Sequence, residues 1–202
     1  MKKAGIHAIT KKKYRATTDF RHSLPVAANS LNRNFSVDKP NQFWVADITY
    51  VSTRKGWLFY LSAIMDLSSR KIVGWSMKNQ ITQDLVIEAL NMAIKQRRPG
   101  RDLLLHSDRG SQYASYCYQV LPSKKVFDVR WVAKGIVFDN AVMKSFHRTL
   151  KVALTYLKNY KTRMEEKRDI FEYIEICYNR ERLHSSIGYH SPEEYEKMIM
   201  AA

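Results

Sequence analysis

Apolar patterning strengthens sharply after Pro40. Three runs, Phe43 to Thr53, Trp57 to Leu67 and Lys71 to Met77, are rich in β-branched and aromatic residues, the composition of strands. Their separators, Arg54-Lys55-Gly56 and Ser68-Ser69-Arg70, are short and turn-like, which predicts an antiparallel meander. In the first run Phe43, Val45, Asp47, Thr49 and Val51 alternate with Trp44, Ala46, Ile48 and Tyr50. Both faces are mainly apolar, so this strand is expected to be central and covered on each side. Thr82 then reads as an N-cap, and Leu85, Val86, Ala89, Met92 and Ala93 recur at helical spacing until Pro99-Gly100. Leu103-Leu104-Leu105 has the character of a buried central strand, a short helix is expected over about 111–121, and Val126 to Val132 reads as a fifth strand. A long helix starts at Asp139 with the stripe Val142, Phe146, Leu150, Ala153 and Leu157. A second covers about 163–179, with Ile170, Phe171, Ile174 and Cys177 or Tyr178 inward. Ser191-Pro192-Glu193-Glu194 combines an N-cap, a first-turn proline and a capping-box glutamate. The order implies an α/β fold: a mixed five-stranded sheet, three strands antiparallel and two added through helical crossovers, with further helices behind. No internal repeat, G-x-G-x-x-G, phosphate-binding P-loop or G-x-S-x-G is present.

Residues 1–40 behave differently and are read as a basic arm or linker, leaving 41–202 as the core with a C-terminal helical extension. The arm holds nine Lys/Arg against Asp19 and Asp38, and its apolar periodicity is weak and interrupted by Pro25 and Pro40. It is expected to order on nucleic acid or to remain a solvated linker. Over the 202 residues the formal net charge is +15, with 45% hydrophobic and 12% aromatic residues. A core is therefore affordable, and the charge favours a polyanionic partner, usually nucleic acid. A ribosome-associated or membrane-surface protein, or simply a basic enzyme, would share that charge. Cys117 and Cys177 make no C-x-x-C pair and fit a reducing cytoplasm, and no histidine spacing matches a zinc finger. Trp57 to Met65 is too short to span a membrane, and no apolar signal core follows the N-terminal lysines. The expectation is a soluble, cytoplasmic protein with no membrane partner.

Two carboxylates stand out. Asp47 sits in the middle of the expected central strand, where an ionised group is costly unless paired or metal-bound. The blander alternative is an Asp at a frayed strand end, salt-bridged to a helix. Asp108 follows the Leu103–Leu105 run beside Gly110, where open α/β sheets place their sites; alternatively it caps the helix near Ser111. Two such acids on adjacent strands can share divalent cations, and phosphodiester transfer uses two Mg²⁺ ions about 4 Å apart, held by hard oxygen ligands. That chemistry suits a basic protein acting on DNA.

The stretches Trp44-Val45-Ala46-Asp47-Ile48-Thr49-Tyr50, His106-Ser107-Asp108-Arg109-Gly110-Ser111-Gln112-Tyr113, Asp139-Asn140-Ala141 and Tyr178-Asn179-Arg180-Glu181-Arg182-Leu183-His184-Ser185-Ser186 resemble those of OrfB-type insertion-sequence transposases. The resemblance runs from about Val37 to the C-terminus. It implies a ribonuclease H-like, retroviral-integrase-type core of the DDE class: Mg²⁺- or Mn²⁺-dependent strand cleavage and transfer on insertion-element ends and target DNA. It also implies a bacterial, nucleoid-associated protein that forms homo-oligomers or mixes with intact transposase. Asp47 and Asp108 match the first two catalytic and metal-binding acids. The third is a glutamate with 35 residues between it and the second aspartate, and that position here is Lys144. Asp139, five residues earlier, is read as an N-cap rather than a replacement. An ammonium ~5 Å from a 2+ ion, at an effective dielectric of ~20, is repelled by roughly 6–7 kcal/mol. Half of that still weakens metal binding about a hundredfold, so little or no catalysis is expected. A chance mutation would leave the same trace, because one base change turns a Glu codon into a Lys codon.

Two further departures point to decay. Arg130-Trp131-Val132-Ala133-Lys134-Gly135-Ile136-Val137-Phe138 replaces the small polar residues and Gly-Asn usual before Asp-Asn-Ala, and Met1 falls near where the family's helix-turn-helix region ends. The chain is accordingly expected to be truncated. Lys144, His147, Arg148 and Lys151 are predicted on one side of the long helix, off its apolar stripe; with Lys134 and the arm they are candidates for gripping DNA phosphates, or else a solvated helix face. The competing function is a catalytically inactive DNA-binding remnant or an inhibitor of an intact transposase. A ribonuclease acting on RNA–DNA hybrids would share the fold without a motif in its favour.

Overall fold

The computed structural model describes residues 37, 39–52, 58–100, 102–107, 113, 130–132, 139–155, 158 and 160–201. Its centre is a five-stranded mixed sheet of order β3-β2-β1-β4-β5, formed by β1 (Phe43–Ser52), β2 (Leu58–Asp66), β3 (Ile72–Lys78), β4 (Leu104–Ser107) and β5 (Arg130–Val132). β1, β2 and β3 are the expected antiparallel meander, in register from Trp44↔Asp66 to Ser52↔Leu58 and from Tyr60↔Lys78 to Met65↔Ile72. β4 lies parallel to β1, and β5 parallel to β4. The expected helix over 111–121 and the first part of the fifth strand lie outside the described residues.

Both faces of β1 are covered, as its composition predicted. Trp44, Ala46 and Ile64 are buried against helix α1 (Gln83–Arg97) through Val86, Ala89, Leu90, Ala93 and Ile94. The opposite face, with Phe43, Val45, Val51, Leu61 and Met65, packs against Met143, Phe146 and Leu150 of α2 (Asp139–Leu150, widening into a π-helical turn over Lys151–Thr155). Ile170, Tyr173, Ile174 and Tyr178 of α3 (Arg163–Glu172, continuing as a π-helical stretch Tyr173–Glu181) complete that layer. Gly74 of β3 is what lets α1 approach. A Cβ there would collide with the carbonyl oxygen of Ala89 and come within 2.7 Å of the Ala93 methyl.

Three sequence expectations are corrected. The α2 stripe is rotated by about one residue: Met143 is fully buried while Val142 and Ala153 are only partly so. Adjacent apolar residues leave that phase ambiguous in the sequence, and the sheet decides it. In α3, Phe171 is 48% exposed and rests at 6.0 Å against the Trp75 ring, and Cys177 is exposed, because Tyr173 and Tyr178 take the inward places. Thr82 occupies the N-cap position of α1, but its side chain makes no capping bond. By contrast, the Ser191 capping box forms at the start of α4 (Pro192–Ala201): the Ser191 N–H donates to Glu194 at 3.0 Å and the Glu194 N–H to the Ser191 hydroxyl at 3.4 Å. No helix among the described residues is long and apolar enough to cross a membrane.

A buried ionic cluster fastens α4 to the sheet. Arg97 donates to both Glu196 carboxylate oxygens at 2.7 and 2.6 Å, reaches Asp66 at 3.3 Å, and bonds Asn41 through Nε at 2.8 Å. The Ser69 hydroxyl and Lys71 also hold Glu196, at 2.7 and 3.4 Å. Burial pushes the Glu196 carboxyl up, but the Arg97 bonds and charge, with Ser69 and Lys71, overcome this and hold it below its ordinary value. For Asp66 burial wins over its Asn41, Ser68 and Arg97 partners, and its carboxyl is raised. The signs therefore oppose each other. Glu196 contributes stability above its unfolded value that disappears as pH falls through the lower folded value, whereas Asp66 contributes in the acid range and loses that contribution as pH rises through its raised value. Glu196→Gln leaves Arg97 buried with half its partners, and is expected to cost about 3 kcal/mol at pH 7. In urea unfolding at pH 7 and pH 3.5 the gap between parent and variant should narrow at the lower pH. An equal gap at both would show that ionised Glu196 is not what holds α4.

Candidate active site

β1 is the strand at which the sheet changes from antiparallel to parallel, and Asp47 sits in its middle. Asp47 pairs with Ala63 on the β2 side, while the parallel ladder to β4 ends at Ala46↔Ser107. Its alternation with Val45 places the carboxylate on the α2 face, where the side chain is only 15% exposed. Asp108 is bonded to Ser107, the partner of Asp47's neighbour, but lies itself outside the described residues, as does Lys134.

The carboxylate has few partners for such a position. Oδ1 accepts the Ile48 N–H at 2.9 Å, and Oδ2 lies 3.5 Å from Nδ1 of His147. That second separation is too long for a good hydrogen bond. His147 is buried, with its ring 5.3 Å from that of Phe146 and its Nε2 without a hydrogen-bond partner. Its placement corrects the sequence reading, which set His147 among outward basic residues on polarity alone. Lys151, one turn further on, is half-buried with Nζ 4.2 Å from the centroid of the Tyr50 ring, a cation–π contact. Burial pulls its amine below the ordinary range, and the Asp47 charge pushes it partly back up. Of the predicted DNA-contact residues, then, Lys144 and Arg148 are exposed, whereas Lys151 leans onto β1. Asp139 is the first residue of α2, and its side chain lies outside the described set. Asp47 faces a helix, at His147, as the alternative reading of it expects, but does so from mid-strand rather than from a frayed end.

The Tyr178–Ser186 motif, singled out in the sequence without a physical role, is in part a clamp. The Asn179 side chain accepts the Ile72 N–H at 2.9 Å and donates to the Ile72 carbonyl at 3.0 Å, behaving as one residue of an additional strand on β3. Tyr178 sits edge-on between Phe146 and His184, each with ring centroids 4.8 Å away. Arg182 and His184 were not marked as site candidates, and no spacing signal in the sequence pairs them with Arg70, which comes from the β2–β3 turn.

Comparison with known proteins agrees with this geometry. The model of the family described as "Integrase core domain" matches residues 37–152, and a second model of that description matches residues 144–200. The chain is 45% identical over 192 residues to an "Insertion element IS600 uncharacterized 31 kDa protein" of Shigella sonnei, covering 93% of this chain and 70% of that one. It is 38% identical over 201 residues to "Transposase InsF for insertion sequence IS3A" of Escherichia coli (strain K12), covering 100% and 69%. Among solved structures it is similar to the HTLV-2 integrase catalytic core domain in complex with magnesium, with a TM-score of 0.55 at 16% identity over 78% of this chain and 97% of that one. A simian T-cell lymphotropic virus intasome chain gives a TM-score of 0.61 at 18% identity, covering 89% and 60%. These likenesses establish the ribonuclease H-like integrase-core fold that the motif resemblance implied and that the predicted mixed sheet fits.

The charge of Asp47 acts on the amine of Lys151, and the effect is measurable. Lys151 should titrate below its ordinary 10.5, and Asp47→Asn should lower it further, because removing the anion leaves desolvation unopposed. Lysine side-chain NMR across pH 8–11 measures both. A Lys151 titration unmoved by the substitution would separate the two groups.

Proposed function

Because the chain belongs to the integrase-core family of insertion-sequence transposases, we propose that it is a DNA strand-transfer core whose metal centre is impaired by Lys144. DNA transposition and integration is the process this family serves. Asp47 and Asp108 are the acids that remain to hold Mg²⁺ or Mn²⁺, as the resemblance assigns them. Cores of this type use divalent metals, and one similar solved core is described with magnesium.

The observation that carries the reading is the character of the α2 surface that meets Asp47. Lys144, His147 and Lys151 are spaced at three and four residues, and on that run α2 offers two ammonium groups and an imidazole where a third carboxylate is needed. Such a donor set does not fit a pair of Mg²⁺ ions, which require hard, anionic oxygen ligands. Lys144 is exposed, so solvent screens its charge and the repulsion anticipated from the sequence is reduced. Loss of the carboxylate itself is not screened. His147 compounds it by lying on the one Asp47 oxygen that does not accept the Ile48 N–H.

DNA binding does not depend on that centre. Lys144 and Arg148 stand exposed on α2 and are where we place insertion-element ends and target DNA, in a cytoplasmic, nucleoid-associated setting; Lys134 and nearly all of the basic arm lie outside the described residues and add positive charge by sequence. The same observation favours a second reading, a catalytically inactive DNA-binding remnant that inhibits intact transposase through mixed oligomers. Transposases and integrases bind DNA and oligomerise, so both readings draw on one interface.

A Mn²⁺-dependent strand-transfer assay on element-end DNA separates the two. The natural chain should give no joined product, and Lys144→Glu should raise joining above it. Joining by the natural chain at a rate the substitution does not improve would remove the impaired-centre reading. Retention on duplex DNA should persist without metal and fall steeply with salt.

A further inference from the structure

A cavity of about 420 Å³ lies between α2 and the segment that follows α3. The 3.6-residue period puts Ser145 and Thr149, which line it, on the flank of α2 opposite His147 and Lys151, with Lys144 and Arg148 on the crest between. Arg70 enters from the β2–β3 turn, and Arg182, His184 and Ser185 from the C-terminal segment. No carboxylate is among its described lining residues, and Arg182 makes no salt bridge to any described residue. His184 is fixed edge-on to Tyr178 with its Nε2 lacking a hydrogen-bond partner. Burial, then the charge of Arg182, then that of Arg70, drive this imidazole down to about 4, so it stays neutral in a positive field. The Arg182 guanidinium and the hydroxyls of Ser145 and Ser185 line the cavity as donors, with the Arg70 charge adding to the field, and an anion would complete this set.

We propose that this cavity binds a backbone phosphate of DNA. The assignment rests on the DNA-acting reading above and extends it from the exposed crest of α2 to a defined pocket beside it. A water's share of liquid is ~30 Å³, so the volume has room for a phosphate and parts of its flanking sugars. Arg182 supplies the paired N–H donors that suit a tetrahedral oxyanion, and Ser145 and Ser185 supply single donors. A strand crossing α2 over Lys144 and Arg148 would then place successive phosphates first on the crest and next in the cavity. This gives the Arg-Leu-His-Ser-Ser part of the motif a contact role beside the clamp made by Tyr178 and Asn179.

The test uses the whole chain, a short duplex and, separately, inorganic phosphate, with the His184 ring followed by NMR. The duplex should shift the His184 resonances and raise its titration point, because an anion in the cavity offsets the two arginines. Arg182→Gln should weaken duplex binding and reduce the slope of log affinity against log salt by about 0.9, the signature of one lost phosphate contact. Arg182→Lys keeps the charge without the paired donors and should fall between. Unchanged slope and affinity in Arg182→Gln, with duplex binding intact, overturns the pocket while the DNA reading stands. Shifts with inorganic phosphate but none with duplex would also overturn it, leaving a free-anion site. Absence of duplex binding even at low salt defeats the DNA reading and the pocket together. Arg182 is exposed, so thermal unfolding of both variants should match the parent, and a lowered midpoint would count against a contact role.

Discussion

An ionised carboxylate in the middle of a sheet covered on both faces is the constraint around which this molecule is arranged. Asp47 cannot be left there alone, since an uncompensated buried charge costs several kcal/mol. On its own face of β1, Phe43, Val45 and Val51 are apolar and buried, Thr49 is the one polar neighbour, and no charged side chain is present to compensate. Compensation comes from one backbone N–H and from α2, whose packing through Met143, Phe146 and Leu150 fixes where His147 and Lys151 arrive. The packing of α2 is therefore at once a stability device and the setting of the site. Whatever residue occupies position 144 is carried on the helix that packing fixes.

The scaffold treats its two ends differently. Three residues back along β1, at Trp44, the partner strand ends in Asp66, and there the charges are closed into a network of Arg97, Glu196, Ser69, Lys71 and Asn41. Nearly every donor and acceptor in that cluster is used, which suits a joint between α4 and the sheet. Around α2 the charges are left open: Lys144, Arg148 and Arg182 are exposed. The Asn179 bonds to Ile72 and the Phe146–Tyr178–His184 ring stack hold the C-terminal segment against α2, so these charges are rigidly presented while making no salt bridge among the described residues. Closed networks fasten, and open ones wait for an external partner.

Much of this was legible in the residues. Period-two alternation in Phe43–Val51 gave a central strand, the turn residues after Leu67 gave the meander, and Ser191 to Glu194 gave a helix start that forms bond for bond. Helix phase was harder to read. Val142 and Met143 are both apolar, so only contact with β1 decides which is buried, and along the π-helical stretch from Tyr173 it is Tyr178 rather than Cys177 that turns inward, a choice the 3.6 period leaves open. Polarity misled at His147, which is buried because Asp47 lies beneath it. The Arg70–Arg182–His184 convergence was invisible for a different reason. Arg70 is more than a hundred residues from Arg182 and His184 in sequence, and neither residue type nor spacing announces that they meet.

The exchange at position 144 changes what the empty centre does to the fold. Acids that converge to hold metal repel one another until the metal binds, so such a centre strains the protein that carries it. On the proposed reading, in which Lys144 stands where such an acid belongs, the exchange would remove an anion and add a cation on the helix that already carries His147 and Lys151 near Asp47. Nothing in the packing of α2 opposes this change: position 144 is exposed, and Met143, Phe146 and Leu150 keep their places. Fold and catalysis are thus separable at this residue. A chain that loses its third acid can keep the sheet, the clamp and the basic surface intact, and the selection that would remove a misfolding variant has no hold on it.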